Sequence, residues 1–217
     1  MTTLTAAPLA ALLDRLFTEA EANRPDFSGV PEAEINRLMH SKTDYLALYT
    51  RLKDFPLPVS RETGRLLYLL ARSSRATCIV EFGTSFGLST LHLAAALRDN
   101  GGGHLISSEF EPSKVQRARE HLSAGGLSDL VDIRVGDALQ TLAHDLPDRI
   151  DLVLLDGAKA LYPQILGLLE SRLKPGALIV ADNADHSPEY LEKVRAANGG
   201  YLSLPFAEDV ELSMRLA

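Results

Sequence analysis

Apolar side chains recur at helical spacing through the first fifty residues of the chain. They are Leu9, Leu12, Leu13, Leu16, Phe17, Ile35, Leu38, Met39, Tyr45, Leu46, Leu48, Tyr49 and Leu52. The segment 24–31 interrupts the pattern with two prolines and a glycine, which a continuous helix does not tolerate. A second break at 55–59 leads into Ser60, a residue type that favours the N-cap of a helix. The pattern predicts several N-terminal helices and another helix that starts after Ser60.

From residue 77 onward, short apolar runs alternate with amphipathic stretches. The runs predict strands at 77–82, 104–108, 130–135, 150–155 and 177–181. The amphipathic stretches predict helices near 87–98, 112–124, 138–144, 162–173 and 188–197. Five strand and helix units in succession favour a parallel sheet with helices on both faces.

The last part of the chain departs from this alternation. The strand-like runs at 201–205 and 210–216 are only a few residues apart, so they predict an antiparallel hairpin. The expected fold is therefore α/β: a doubly wound, Rossmann-like, seven-stranded and mostly parallel sheet with an antiparallel C-terminal hairpin. The 217 residues suit one domain, with residues 1–58 as a helical cap and 59–217 as the core.

Composition narrows the possible partners. The formal net charge of −7 disfavours a nucleic-acid substrate, because like charges repel. The single cysteine, Cys78, allows no intrachain disulfide and is compatible with a reducing compartment. No apolar run approaches the roughly 20 residues that span a bilayer. We therefore expect a cytoplasmic protein that binds small molecules and neither nucleic acid nor membrane.

Parallel sheets of this type bind ligands at the carboxyl ends of their strands. The first strand ends at Glu81 and is followed by Gly83 and Gly87, which permit a tight turn before the next helix. Such a turn can bind a ligand, although it also occurs as an ordinary connection between a strand and a helix. Glu81 favours an ammonium group over a phosphate at this position.

The second and third strands also end in carboxylates. Glu109 could accept both hydroxyls of a ribose, as in dinucleotide-binding enzymes. Those enzymes have the spacing Gly-x-Gly-x-x-Gly, whereas this chain has Gly83-x-x-x-Gly87. Asp137 could accept a hydrogen bond from an exocyclic amine such as that of adenine, or could simply be the N-cap of the next helix.

Together these features resemble the class I S-adenosylmethionine-dependent methyltransferases over residues 59–183, with 81–85 similar to their glycine-rich first motif. The resemblance implies that this motif holds the methionine part of the cofactor, that Glu109 holds its ribose and that Asp137 contacts its adenine. The cofactor-contacting residues it implies are Val59, Glu81, Gly83, Thr84, Ser85, Ser89, Glu109, Phe110, Gly136, Asp137, Ala138 and Asp156.

The fourth strand is followed by Asp156 and Lys159, and the fifth by Asp182 and Asn183. If the two strands are neighbours, their ends lie about 4.8 Å apart and the oxygen donors can converge on Mg²⁺, Mn²⁺ or Ca²⁺. Alternatively, both aspartates are helix caps and Lys159 is a surface residue. Asp-x-x-Lys followed by Asp-Asn resembles the catechol and caffeoyl-coenzyme A O-methyltransferases. That resemblance implies metal binding by Asp156, Asp182 and Asn183, and a general base at Lys159.

The predicted activity is transfer of a methyl group from S-adenosylmethionine to a hydroxyl of a small catechol-, phenol- or sugar-like molecule. A metal ion would lower the pKa of that hydroxyl and, by repulsion, the pKa of Lys159. Relatives of this type are often homodimers, so a homodimer is expected. Unlike these relatives, which tend to have Gly-Asp-Gly in the final hairpin, this chain has Ala207-Glu208-Asp209-Val210 there.

Three other functions fit parts of the pattern. A metal-independent class I methyltransferase acting on nitrogen, protein or RNA would use the same cofactor residues. A nicotinamide-dependent oxidoreductase would use the sheet, the glycine turn and Glu109, but would leave Asp156, Lys159 and Asp182 without a role. A binding module without catalytic activity would retain only the fold.

Overall fold

The structure is a computed structural model that describes residues 1–26, 29–206 and 209–216, with the side chain of Glu32 left aside. Phe27 and Ser28 of the first predicted break lie outside the described residues. So do Ala207 and Glu208 of the predicted hairpin turn.

The N-terminal part is helical, as predicted. The helices are α1 (Leu9–Ala22), α2 (Glu32–Met39), α3 (Tyr45–Arg51) and α4 (Arg61–Ser73). Ser60 is the N-cap of α4, and its side chain accepts a hydrogen bond from the backbone N–H of Thr63 at 3.0 Å. This bond satisfies one of the free N–H groups in the first turn, which explains why the helix starts directly after the proline-rich segment.

Strands and helices then alternate along the chain. The strands are β1 (Cys78–Phe82), β2 (His104–Glu109), β3 (Val131–Val135), β4 (Ile150–Leu155), β5 (Leu173–Ala181), β6 (Tyr201–Phe206) and β7 (Val210–Arg215). The helices are α5 (Leu88–Asp99), α6 (Pro112–Ala124), α7 (Ala138–Thr141), α8 (Tyr162–Leu169) and α9 (Pro188–Arg195).

The seven strands form one sheet in the order β3-β2-β1-β4-β5-β7-β6. β1 to β5 pair in parallel, and β7 pairs antiparallel with both β5 and β6. The predicted fold class, a mostly parallel seven-stranded sheet with an antiparallel C-terminal hairpin, is therefore confirmed. The order reverses between β1 and β4, so ligands are expected at the carboxyl ends of these strands.

The predicted boundaries differ from the observed ones most at three places. The helix predicted at 138–144 ends at Thr141, and the one predicted at 162–173 ends at Leu169, followed by a 3₁₀ turn. The fifth strand starts at Leu173 instead of residue 177, with an irregularity in its pairing to β4. Pro175 and Gly176 lie in this segment, and in a sequence these two residue types indicate a turn. In the structure they lie within the strand, where Gly176 has a φ of +82°.

The sheet separates two large clusters of buried apolar side chains. One contains residues of α1, α4, α5 and α6, and the other contains residues of α8 and α9. A third, smaller cluster consists of Leu38 on α2, Leu48 on α3 and Leu52, which directly follows α3. It packs these two helices together. No helix in the described part of the chain is both long and apolar enough to cross a bilayer.

Candidate cofactor and metal site

The turn after β1 is shaped by two glycines. Gly83 has a φ of +102° and Gly87 a φ of +86°, backbone angles that residues other than glycine rarely adopt. A Cβ atom at Gly83 would lie 2.6 Å from the backbone oxygen of Asp156. The turn therefore depends on glycine for its conformation and for its close approach to the end of β4.

Glu81 lies beneath this turn and is fully buried. Its carboxylate accepts hydrogen bonds from the hydroxyls of Ser89 at 2.6 Å, Thr90 at 2.6 Å and Ser107 at 2.5 Å. Burial raises the pKa of Glu81 to about 7, although the three hydroxyls act in the opposite direction. Glu81 thus links β1, β2 and α5.

Glu109 ends β2 beside the same turn. One carboxylate oxygen accepts the backbone N–H of Ser85 at 2.8 Å, and the other accepts that of Glu111 at 3.0 Å. Each oxygen retains a lone pair for a further donor. Burial raises the pKa of this carboxyl group above its usual value. The geometry suits a carboxylate that accepts hydroxyl groups from a ligand.

Asp137 follows β3 and has two partners. Its Oδ1 accepts the backbone N–H of Leu139 at 3.0 Å, so it is the N-cap of α7. Its Oδ2 accepts the hydroxyl of Tyr45 on α3 at 2.9 Å. The side chain thus caps a helix, as one of the two sequence interpretations stated, and also fixes α3 over the cleft.

A cleft connects these strand ends and encloses about 630 Å³ of atom-free space, open solvent included. Predicted cofactor residues that line it are Gly83, Ser85, Glu109, Phe110, Gly136, Asp137, Ala138 and Asp156. Four other predicted cofactor residues, which do not line it, are Val59, Glu81, Thr84 and Ser89. Contact with a cofactor stays a prediction for all twelve residues.

The predicted metal ligands lie at the ends of two neighbouring strands. Leu155 of β4 is in register with Ala181 of β5, so Asp156 and Asp182 follow at the same edge of the sheet. The next residue, Asn183, donates a hydrogen bond from Nδ2 to Asp209 at 3.0 Å, which leaves its amide oxygen available.

Lys159 forms an ion pair with Asp156, with Nζ 2.9 Å from Oδ1. Both side chains are largely buried, so Lys159 is not the surface residue of the alternative interpretation. The lowered pKa expected for Lys159 concerns the protein with a metal ion bound. Without that ion, burial by itself lowers the pKa of Lys159, but the interactions with Asp156 and, to a lesser degree, with Tyr162, Tyr49 and Asp182 together outweigh burial and raise the pKa well above its usual value.

The residues at this edge fit a divalent cation by their chemistry. Burial, and then repulsion from Asp156, raise the pKa of Asp182 to about 7. Two mutually repelling carboxylates are stabilised by added positive charge, and an amide oxygen completes a set of hard donors. No group of three or more His, Cys, Asp or Glu side chains in the described ranges is arranged to hold a metal. The candidate set is therefore two carboxylates and one amide.

Three further residues at the site are not among the predicted cofactor and metal ligands. Tyr45 and Tyr49 of α3 cover the cleft, and the Tyr49 hydroxyl donates to the backbone oxygen of Gly157 at 3.3 Å. Lys114 of α6 lines the cleft from another side. The apolar spacing of α3 indicated a buried face but not its partner, and no sequence signal distinguished Lys114 from the other lysines.

Comparison with known proteins identifies relatives of the chain. Residues 80–184 match a family model described as a methyltransferase domain. A catechol O-methyltransferase of Niastella koreensis is 31% identical over 177 residues, which cover 79% of each protein. A catechol O-methyltransferase of Mycobacterium tuberculosis is 33% identical over 127 residues, or 58% of this chain and 57% of that protein.

Solved structures agree with these relatives. The O-methyltransferase TomG of Streptomyces achromogenes, in complex with S-adenosylmethionine, has a TM-score of 0.66 and 27% identity, covering 88% of this chain and 94% of that one. An O-methyltransferase of Bacillus cereus, in complex with S-adenosylhomocysteine, shares the fold with a TM-score of 0.70 at 20% identity, covering 99% and 95%. The chain belongs to the class I S-adenosylmethionine-dependent O-methyltransferases of the catechol and caffeoyl-coenzyme A type.

Proposed function

We propose that the protein methylates a hydroxyl group of a small catechol-, phenol- or sugar-like molecule with the help of a divalent metal ion. The observation that carries this proposal is the position of Asp156. Its side chain lines the cleft beside Glu109 and the glycine turn, and it also belongs to the oxygen donor set with Asp182 and Asn183. One residue thus joins the candidate cofactor site to the candidate metal site.

The residues of the cleft would bind and orient the reactants. The Glu109 carboxylate would accept the ribose hydroxyls, and Asp137, at the end of the neighbouring strand, would accept the adenine amine. Tyr45 and Tyr49 of α3 would exclude water from the cleft, because both lie over it. Holding the two reactants in line supplies a large part of the rate enhancement in such reactions.

Asp156, Asp182 and Asn183 would hold the metal ion. When bound, such an ion favours the ionised form of a nearby acceptor hydroxyl and fixes its orientation. Lys159 is proposed as the general base that takes up the hydroxyl proton at Nζ. The raised pKa keeps Lys159 protonated, so the ion pair with Asp156 must weaken and Nζ must first release its own proton before it can accept the proton of the hydroxyl.

Two measurements test the proposal. Calorimetry with S-adenosylhomocysteine and with NAD tests the cofactor, and only the first ligand is expected to bind. Activity toward catechols, flavonoids, hydroxycinnamates and sugars is then measured with Mg²⁺ and with EDTA. We expect activity with Mg²⁺ alone, and Asp182→Asn should lower kcat by roughly 100-fold or more while S-adenosylhomocysteine still binds. Full activity in EDTA would leave the cofactor assignment intact and contradict the metal assignment.

A metal-independent methyltransferase is the second candidate. The observation that favours it is the ion pair between Lys159 and Asp156, because the lysine ammonium already neutralises one of the two carboxylates without a metal ion. Retained activity of Asp182→Asn in EDTA would support this candidate.

We further propose that the protein is a cytoplasmic homodimer. The single cysteine is compatible with a reducing compartment, and exposed apolar side chains on β6 provide a surface for self-association.

A further inference from the structure

Lys114 is a buried cation in the wall of the cofactor cleft. It lies in the first turn of α6, and only 3% of its surface is exposed. Its Nζ donates a hydrogen bond to the Ser85 hydroxyl at 3.1 Å, and it lies 5.7 Å from the centre of the Phe86 ring. Both neighbours belong to the glycine turn after β1. Lys114 therefore lies where that turn meets the cleft.

The ammonium group of Lys114 has few partners. Among the side chains that the structure describes, no carboxylate forms an ion pair with it within 4.0 Å. The nearby Glu109 carboxylate is bonded to the backbone N–H groups of Ser85 and Glu111. Burial lowers the pKa of Lys114, since removal of an ammonium group from water is unfavourable. A buried cation with one neutral acceptor has unused capacity to bind an anion.

Lys114 is also the one cationic side chain among the described residues that line the cleft. The charged residues that line the other walls are Glu109, Asp137 and Asp156. Three carboxylates suit hydroxyl, amine and sulfonium groups, and they repel an anion. Among the charged residues that line the cleft, Lys114 alone therefore attracts an anionic group of a bound ligand.

We propose that Lys114 binds the carboxylate of the methionine part of the cofactor. This inference rests on the proposed cofactor site, and it adds a charge-specific contact that selects ligands with an amino-acid carboxylate. The Ser85 hydroxyl orients Lys114, because it accepts from Nζ and donates to the backbone oxygen of Pro56 at 2.5 Å. Lys114 is therefore a specificity-determining residue for the cofactor.

The test compares two ligands that differ only in the carboxylate. These are S-adenosylhomocysteine and its decarboxylated analogue, 5′-S-(3-aminopropyl)-5′-thioadenosine, with affinities measured by calorimetry. A charge-assisted hydrogen bond in a buried site is expected to give wild-type protein a preference of roughly 10- to 100-fold for the first ligand. In Lys114→Met, which keeps the aliphatic chain, the two ligands should bind with similar affinity.

Two variants serve as controls. Lys114→Arg keeps the charge and should retain most of the preference. Arg117→Ala removes another cation that lies over the Phe86 ring, 5.3 Å from its centre, without lining the cleft, and should leave the preference unchanged. Equal binding of the two ligands by wild-type protein would overturn the inference without any variant. An undiminished preference in Lys114→Met would also overturn it. A wild-type protein that binds neither ligand would instead contradict the cofactor site itself.

Discussion

At the scale of single residues, Glu81 shows how a predicted ligand contact can have a structural role. Its carboxylate is fully buried and accepts three hydroxyl groups from β2 and α5. Burial raises its pKa from 4.5 to about 7, so the folded state favours the protonated form. The resulting stabilisation is fully present below pH 4.5 and is lost as the pH rises through 7.

Substitution of Glu81 by glutamine removes this titration. We expect the stability of Glu81→Gln relative to wild type to rise between pH 5 and pH 8, by up to about 3 kcal/mol. Urea denaturation at the two pH values measures the difference. Glu62→Gln, at an exposed carboxylate of α4, is the matched control and should show little change. The same stability difference for Glu81→Gln at both pH values would contradict the raised pKa.

At the scale of elements, the site depends on how strands end and helices begin. In the turn between β1 and α5, only glycine fits at position 83. The backbone there has a φ of +102°, and a Cβ atom would collide with the backbone of Asp156. Gly167 within α8 is a contrasting case, because it has no such φ and a Cβ there would meet no atom within 4 Å. The backbone conformation therefore requires glycine at position 83 but not at position 167.

Alanine at these two positions should have opposite effects. Gly83→Ala is expected to destabilise the protein by about 2 kcal/mol or more and to weaken S-adenosylhomocysteine binding, since the turn must move away from β4. Gly167→Ala should stabilise it by roughly 0.5–1 kcal/mol, because alanine favours the helix and fits without contact. Thermal denaturation and calorimetry of both variants measure these effects. A neutral Gly83→Ala would show that the turn is not constrained.

At the scale of the whole molecule, the sheet ends at β6, which carries exposed apolar side chains. Leu202, Leu204 and Phe206 alternate along one face of this strand and are 58%, 50% and 38% exposed. An edge strand with exposed apolar residues favours association with another chain. This surface supports the proposed homodimer.

A charge at this surface should disrupt the homodimer. Light scattering coupled to size-exclusion chromatography is expected to give a dimer for wild type and a monomer for Leu204→Glu. Leu69→Glu is the control, because Leu69 is 62% exposed on α4, away from β6, and it should leave the dimer intact. A wild-type monomer at micromolar concentration would contradict the proposal.

The site was predicted in part. The pattern placed Asp156 and Asp182 at strand ends, and the strand order confirms that these strands are neighbours. It did not place Tyr45 over Asp137, because that contact joins residues 92 positions apart. It also did not show the direct ion pair between Lys159 and Asp156, since that contact depends on side-chain geometry.

The sequence by itself determined the alternation of strands and helices, the parallel sheet with its hairpin, and the residues at each strand end. These features follow from the local periodicity of apolar residues and from glycine and proline positions. Only the tertiary structure decided that Glu81 lies beneath the turn, that α3 covers the cleft and that Lys114 is buried in its wall. Burial and charge interactions depend on contacts between distant segments, which local spacing does not specify.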